Sequence, residues 1–289
     1  MRLRSLRLAS RALGVVAFVG CFALVLDHVE PGVGGSRATA QSRTTARPTA
    51  HPTATLPAVL TRTSERSAEF GGVPTVGAVF SAGDTGFSRH YCTGSVVDSP
   101  GGNLIVTAAH CLLDPASGVS DAASVVFVPG YHDGVHPYGD WQSTSVTVDP
   151  HWSSDSDQDY DVAFVTVRNT AHPDLRLQDV VGAQVPAFGD AARPGTVSVI
   201  GYPSSGDKPI GCRNSLKPYS ATQSEFDCAG FADGSSGGPL LTGLDPDTGR
   251  GTLVGVIGGY QEGGDSDDVS YAAYFGDAVQ ALYREAAGK

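Results

Sequence analysis

Basic side chains are scarce over most of this 289-residue chain. The whole sequence has 19 Lys and Arg against 30 Asp and Glu. Nine of the basic residues but only three of the acidic ones lie in residues 1–68, which leaves ten basic and 27 acidic residues afterwards, a net charge of −17. Such a charge repels phosphate backbones and anionic lipid headgroups. We therefore expect no nucleic-acid partner and no stable membrane association of residues 69–289.

An apolar run long enough to cross a bilayer is also lacking at the N-terminus. Leu13–Leu26 has only 14 residues and follows four arginines within the first 12 positions, which together indicate a secretory signal. Cys21 stands inside this run rather than closing it, so we interpret it as part of the signal and not as a lipid-attachment site. Ala38-Thr39-Ala40 offers a cleavage sequence, which places the signal region within residues 1–40 and predicts a secreted, extracellular protein.

Large apolar residues are few between the signal and residue 69. The segment is rich in Ala, Thr, Arg, Ser and Pro, so it lacks the apolar surface needed to offset its ordering entropy. Residues 41–68 are predicted to form a disordered propeptide or linker, and residues 69–289 the folded domain.

The folded part is rich in glycine and β-branched residues, which favours an all-β class. The chain has 37 Gly and 18 Pro, and short apolar runs are separated by turn residues. Only Asp277–Ala287, with Val279, Leu282 and Tyr283 at helical spacing, predicts a helix. The predicted strands are Val73–Phe80, Tyr91–Val97, Asn103–Thr107, Ser124–Val128, Ser143–Val148, Val162–Val167, Thr196–Ile200 and Thr252–Ile257.

Without Cys21, four cysteines remain in the predicted secreted protein: Cys92, Cys111, Cys212 and Cys228. An even number in an oxidising compartment favours disulfides over a metal site. Three pairings are possible from the count alone. No metal ion and no other cofactor is indicated.

Three short motifs contain the residue types of nucleophilic catalysis: Thr107-Ala108-Ala109-His110-Cys111, Asp161-Val162-Ala163 and Gly234-Ser235-Ser236-Gly237-Gly238-Pro239. A serine hydroxyl needs an imidazole base, and the imidazole needs a carboxylate that fixes its tautomer. Ser236, His110 and Asp161 are the candidates. The glycines permit a tight turn in which the N–H groups of Gly234 and Ser236 can bind an oxyanion.

Neighbouring residues leave alternatives open at two of these positions. Asp159 is the second candidate for the orienting acid, since Asp161 is preferred only because it directly precedes an apolar strand. Asp155, Asp157 and Asp159 could in principle bind calcium, but they lack the glycine and distal glutamate of a calcium loop, so a solvated loop is expected. Ser235 could replace Ser236 on composition alone.

The order His, Asp, Ser of these motifs resembles the trypsin-like (chymotrypsin-fold) serine proteases, in a form typical of secreted bacterial members. The resemblance implies two six-stranded antiparallel β-barrels, at about residues 69–175 and 176–275, with a closing helix at 277–287 and the catalytic site between the barrels. It also implies a disulfide beside the catalytic histidine, Cys92–Cys111, which leaves Cys212–Cys228 as the second pair.

The chain departs from the family pattern where animal-type members form an activating ion pair. Ser235 stands where the family has an aspartate before the nucleophile, and Glu69-Phe70-Gly71-Gly72 stands where the family has Ile-Val-Gly-Gly. A hydroxyl cannot pair with a new N-terminal amine. Our hypothesis is that a zymogen is processed near residue 68 without needing that amine.

Substrate preference follows only from the position of the specificity pocket in the family. The resemblance places this pocket at Gly230, Phe231, Gly258, Gly259 and Tyr260. No acid occupies the Gly230 position and no histidine lies near Ile257, so neither a trypsin-type nor a glutamyl-specific pocket is indicated. An apolar pocket narrowed by Phe231 or Tyr260 is expected, although Asp233 could contact a basic side chain.

The sequence thus predicts a secreted, monomeric serine endopeptidase that acts on proteins or peptides without a cofactor. An inactive protease-fold binding protein and an esterase using the same triad are the alternatives, because acyl-serine chemistry does not distinguish amides from esters.

Overall fold

The computed structural model describes residues 56–83, 86–87, 89–114, 119–120, 125–193, 195–245 and 247–288. The predicted signal region and residues 41–55 of the predicted propeptide lie outside these ranges. Within the described ranges, every helix is too short or too polar to span a membrane.

The secondary structure consists mainly of short strands, as the turn-rich sequence predicts. The strands are β1 (Ala68–Glu69), β2 (Val76–Gly83), β3 (Gly86–Phe87), β4 (Cys92–Val97), β5 (Leu104–Thr107), β6 (Leu113–Asp114), β7 (Val119–Ser120), β8 (Val125–Pro129), β9 (Trp141–Val148), β10 (Ala163–Asn169), β11 (Val185–Pro186), β12 (Thr196–Gly201), β13 (Ile210–Pro218), β14 (Gln223–Asp227), β15 (Pro239–Thr242), β16 (Thr252–Val256) and β17 (Val269–Ala273). The helices are α1 (Ala58–Thr61), α2 (Pro150–Asp155), α3 (Leu177–Val181) and α4 (Asp277–Ala287), with 3-10 turns at Gln158–Tyr160, Gly189–Ala192 and Tyr260–Gly263.

Six antiparallel strands close into a barrel in the first half of the domain. The strand order is β2-β4-β5-β10-β9-β8, and β8 pairs with β2 to complete the circle. Both faces of several strands are buried: Val125 and Phe127 of β8 belong to the barrel interior, whereas Val126 and Val128 belong to the larger core shared with the second sheet. This double burial explains why β8 is a continuous apolar run rather than an alternating one.

The second half forms a mixed sheet in the order β11-β16-β15-β12-β13-β14-β17, with β1 added beside β13. All its pairings are antiparallel except β11 with β16. The resemblance implied a second six-stranded antiparallel barrel, and the strands β12 to β17 form the corresponding path. The two end strands of this path, β16 and β17, are also linked by a hydrogen bond. The N–H of Gly258, just after β16, donates to Tyr271 O of β17 at 3.0 Å. The fold class is therefore mostly β, with one closed barrel and a second mixed sheet.

Six strands of the second sheet were missed at the sequence level: β1, β11, β13, β14, β15 and β17. β1, β11 and β15 have only two to four residues, too few for a pattern, and β13, β14 and β17 contain polar residues that weaken theirs. The C-terminal helix α4 has the predicted bounds Asp277–Ala287. Its apolar face, with Val279 and Leu282, joins the shared core, while the Tyr283 hydroxyl donates to Asp98 O at 2.7 Å.

The segment immediately before residue 69 is packed against the second sheet. Leu60 of α1 is 1% exposed and its carbonyl accepts the Ser198 hydroxyl at 2.8 Å. Further along, β1 pairs with β13, and Arg66 bridges in parallel to Ala229. The prediction of a disordered segment is therefore wrong for residues 56–68. The burial of Leu60 and the pairing of β1 with β13 stabilise this segment, although its composition is mainly polar.

Replacing Leu60 with alanine is expected to lower the free energy of unfolding by about 2–5 kcal/mol, the usual cost of truncating a fully buried leucine. Thr61→Ala on the same helix removes an exposed side chain and should change stability by less than about 0.5 kcal/mol. Urea unfolding of both full-chain variants, with equal slopes, measures the difference. Equal midpoints for the two variants would mean that this segment is not part of the folded domain.

Candidate active site

The pairing of β5 with β10 brings His110 and Asp161 to the same end of the first barrel. Thr107 ends β5 directly opposite Ala163, which begins β10. His110 lies three residues after the end of β5, and Asp161 lies two residues before the start of β10. The antiparallel pairing of these two strands therefore brings the two residues together. His110 Nδ1 lies 2.7 Å from Asp161 Oδ2.

Asp161 is held in one orientation by three N–H groups. Its side chain is fully buried, and besides the imidazole it accepts the backbone N–H of His110 at 2.9 Å and of Gly259 at 2.8 Å. Asp159, the alternative orienting acid, instead accepts Gln223 Nε2 at 2.8 Å. The structure thus brings Asp161, and not Asp159, to the imidazole.

The surroundings of His110 raise the pKa of its imidazole. Burial alone would lower this pKa, but the charge and hydrogen bond of Asp161, with a further contribution from the charge of Glu262, raise it above 6.5. The ring of Trp152, on α2, lies with its centroid 6.5 Å from the imidazole centroid. The side chain remains 13% exposed, so its other nitrogen can be reached from the cleft.

A general base must be neutral, so activity is expected to fall as pH decreases through the His110 pKa. Because that pKa is raised, the midpoint of the acid limb of kcat/KM should lie above pH 6.5, and Glu262→Gln should move it to lower pH. Rates on a neutral peptide between pH 5 and 9 provide the measurement. A flat profile would contradict the assignment of His110 as base, whereas a midpoint below 6.5 would contradict the expected rise of its pKa.

Two disulfides connect the strands to the loops of the site. Cys92–Cys111 joins the start of β4 to the residue after His110, and Cys212–Cys228 joins β13 to the segment that leads towards Ser236. Cys92, His110 and Cys111 are close enough to share a metal ion, but the disulfide removes both thiolate ligands. These three residues therefore do not form a metal site.

The glycine-rich loop has a backbone that only glycine tolerates. Gly234 and Gly237 have φ values of +96° and +80°. A Cβ on Gly237 would lie 2.1 Å from Thr107 Oγ1, and one on Gly234 would lie 2.5 Å from Ser204 N. Both glycines are therefore required by conformation and by space.

The two adjacent serines occupy different environments. Ser236 is partly exposed and lines the cleft together with His110. Ser235 is 1% exposed, and its Oγ would lie 3.0 Å from a Cβ on Gly201. This buried Oγ makes no hydrogen bond to any residue that the structure describes. Ser236 is consequently the accessible hydroxyl of the pair.

The two candidate oxyanion donors are both available. Neighbouring N–H groups in the loop are engaged: Ser235 donates to Ala232 O at 3.0 Å and Gly237 to Ile257 O at 2.7 Å. Among the described residues, the N–H groups of Gly234 and Ser236 have no acceptor. Two unpaired donors beside an accessible hydroxyl are what oxyanion stabilisation requires.

The cleft between the barrel and the second sheet has a volume of about 660 Å³. Of the five predicted pocket residues, Phe231 lines it. Gly258 and Gly259 instead support Asp161: a Cβ on Gly258 would lie 3.0 Å from Asp161 Oδ2, and Gly259 donates its N–H to that carboxylate.

The other two predicted pocket residues, Gly230 and Tyr260, do not line the cleft either. Gly230 donates its N–H to Asp267 O at 2.8 Å, and the Tyr260 ring packs 5.0 Å from Tyr271 and 4.9 Å from Tyr219. The turn 261–265, which the sequence analysis did not identify, lines the cleft in their place. Its glycines, Gly263 and Gly264, were the signal for a turn there.

Four carboxylate residues line this cleft: Asp233, Glu262, Asp265 and Asp267. All four are exposed, and Asp265 accepts a short hydrogen bond from Gln261. No lysine or arginine of the described chain lines the same cleft. Acidic side chains therefore outnumber basic ones along the cleft, and Phe231 and Ile257 contribute apolar lining.

The family model of the trypsin-like peptidase domain matches residues 92–256, more than half of the chain. No curated protein sequence matches. Protease Anisep from Arthrobacter nicotinovorans is 27% identical, with a TM-score of 0.64 and coverage of 77% of this chain and 100% of the other. The thermostable serine protease AL20 from an extremophilic microorganism is 26% identical, with a TM-score of 0.62 and coverage of 75% and 98%. A Glu endopeptidase at 16% identity, with a TM-score of 0.57 and coverage of 80% and 100%, is similar in fold.

Proposed function

The chain belongs to the trypsin-like peptidase domain family, and from that membership we propose that it is a secreted serine endopeptidase using Ser236, His110 and Asp161. The observation that carries the proposal is the buried Asp161 carboxylate, which lies 2.7 Å from the imidazole of His110, and His110 lines the same cleft as Ser236. No further group is needed to activate a hydroxyl in this arrangement.

Each step of the proposed reaction uses a group of the site. His110 takes the Ser236 proton as the Oγ attacks the peptide carbonyl, and Asp161 stabilises the resulting imidazolium. The N–H groups of Gly234 and Ser236 bind the oxyanion. His110 then protonates the departing amine as the C–N bond breaks, and water hydrolyses the acyl-serine by the same route in reverse.

Two disulfides support secretion, because such crosslinks persist in oxidising compartments. The N-terminal signal region and its cleavage remain part of the proposal. The peptidase domain is proposed to include residues 56–68, since Leu60 and β1 pack against the second sheet.

The charge of the cleft favours substrates with basic side chains. Asp233, Glu262, Asp265 and Asp267 would repel acidic peptides and attract lysine or arginine near the scissile bond. This proposed preference differs from the apolar pocket expected from the sequence, because Glu262 and Asp265 of the turn 261–265 line the cleft.

The proposed peptidase activity and the proposed preference for basic side chains can be tested together. The purified protein digests a mixed peptide library, and mass spectrometry identifies the cleavage sites. A fluorophosphonate probe should label Ser236, and cleavage sites should be enriched in lysine and arginine. Labelling without peptide cleavage but with ester hydrolysis would indicate an esterase. A folded protein that neither reacts with the probe nor cleaves peptides would indicate a binding protein.

A further inference from the structure

Thr93 belongs to the first barrel, but its hydrogen bonds connect that barrel to the loop that contains Ser236. It is the second residue of β4 and is fully buried. Its Oγ1 donates to Gly234 O at 2.9 Å and accepts the N–H of Tyr202 at 2.8 Å. Its backbone N–H donates to Ser236 O at 2.7 Å.

These bonds fix the two peptide units that flank the oxyanion donors. A peptide group is planar, so holding the Gly234 carbonyl sets the orientation of the peptide that joins Gly234 to Ser235. Holding the Ser236 carbonyl does the same for the peptide that follows Ser236. The N–H group of Gly234 is joined to the held carbonyl of Gly234 through a single Cα, and the same is true of Ser236. Fixing each carbonyl therefore restricts the direction of the N–H group of the same residue.

Thr93 is also connected to the turn that contains the histidine. Its carbonyl accepts the Thr107 hydroxyl at 2.8 Å, three residues before His110. A Cβ on Gly237 would lie 2.2 Å from that same carbonyl, so the serine loop packs directly on this strand. One buried residue therefore contacts the base side and the nucleophile side of the site.

The loop has no charged anchor of its own. The residue before Ser236 is Ser235, whose uncharged side chain is buried beside Gly201 and has an Oγ without a partner among the described residues. The shape of the loop must then be fixed by neutral hydrogen bonds. Resting on the proposed function, we infer that Thr93 is a positioning residue that holds the oxyanion loop in its catalytic shape without an ion pair from a chain terminus.

Thr93→Val tests this inference because it keeps the shape of the side chain and removes the hydroxyl. The Gly234 carbonyl loses its donor, and the oxyanion N–H groups can turn from their positions. We expect kcat to fall by about 100-fold, the scale of a catalytic group misplaced by about 1 Å, with a much smaller change in KM. Thr93→Ser keeps the hydroxyl and should retain most of kcat.

A readout that general destabilisation would not move is the binding of a transition-state analogue. A peptide boronate forms a tetrahedral adduct whose oxygen occupies the oxyanion hole, so its affinity should fall by about the same factor as kcat/KM. A non-cleavable peptide of the same sequence should bind as before. Ser95→Ala is the matched control, since Ser95 is buried on the same strand and its hydroxyl contacts Thr75 O at 3.4 Å, away from the loop.

The outcomes separate this inference from the proposed function. Full kcat and boronate affinity in Thr93→Val, beside an active wild type, would overturn it, as would an equal loss in Ser95→Ala. If Thr93→Val does not fold, Thr93→Ala and Thr93→Ser differ only in the hydroxyl, and equal kcat in those two variants would overturn it too. A wild type inert to peptides and to fluorophosphonate would instead refute the proposed function.

Discussion

Replacing Ser236 with alanine is expected to lower kcat for peptide hydrolysis by roughly 10⁶-fold, the cost of removing the nucleophile from a serine–histidine–aspartate site. The acyl-enzyme cannot form, and the remaining rate comes from the oxyanion donors and from substrate binding. Ser236 is partly exposed in the cleft, so the substitution removes one oxygen atom without opening a buried cavity. Stability and KM should therefore change little.

The adjacent serine is the sharpest comparison for this experiment. Ser235→Ala removes an oxygen that is buried and lacks a hydrogen bond within the described chain, so it should be neutral or slightly stabilising. Initial rates on the best peptide from the library, with unfolding curves of both variants, provide the measurement. An inert Ser235→Ala beside an active Ser236→Ala would mean that the nucleophile is the other serine.

Replacing Asp161 with asparagine is expected to lower kcat by roughly 10⁴-fold while the fold is retained. The carboxylate accepts three N–H groups, from the His110 imidazole, the His110 backbone and Gly259. An asparagine side chain has one oxygen and one NH₂ group, so an amide N–H must face one of these donors. The imidazole can relieve this by moving its proton from Nδ1 to Nε2, and the nitrogen that faces the cleft is then protonated and can no longer act as base.

The pH profile distinguishes this cause from a general loss of structure. Asp161 raises the pKa of His110, so the acid limb of the residual activity in Asp161→Asn should move to lower pH. Asp159→Asn is the matched control, because Asp159 bonds Gln223 rather than the imidazole. A comparable loss in Asp159→Asn would show that the acidic loop, and not Asp161 alone, orients the base.

Much of the fold was predictable because its signals are local. Apolar runs between glycines and prolines locate strands such as β8 and β10, and the spacing of Val279, Leu282 and Tyr283 gives α4 its bounds. Strands with a polar, half-exposed face, such as β13, were missed because their pairing partners, rather than their own residues, stabilise them.

The N-terminal segment shows why composition can mislead. Its many polar residues predict disorder, yet Leu60 is buried against β13 and β1 pairs with the same strand. Burial of a single side chain and backbone pairing depend on a partner more than a hundred residues away. The composition of a segment does not reveal such a distant partner.

By itself, the sequence identified the candidate groups of the site: His110, Asp161 with Asp159 as the second choice, and Ser236 with Ser235 beside it, in an order shared with one protease family. Only the tertiary structure decided which of two aspartates meets the imidazole, which of two serines is exposed, and that the turn 261–265 lines the cleft. It also brought Thr93 of β4 into hydrogen-bond contact with Gly234, in the loop that contains Ser236. Residue types and order are properties of the chain, whereas exposure and hydrogen bonding arise where the barrel and the second sheet meet.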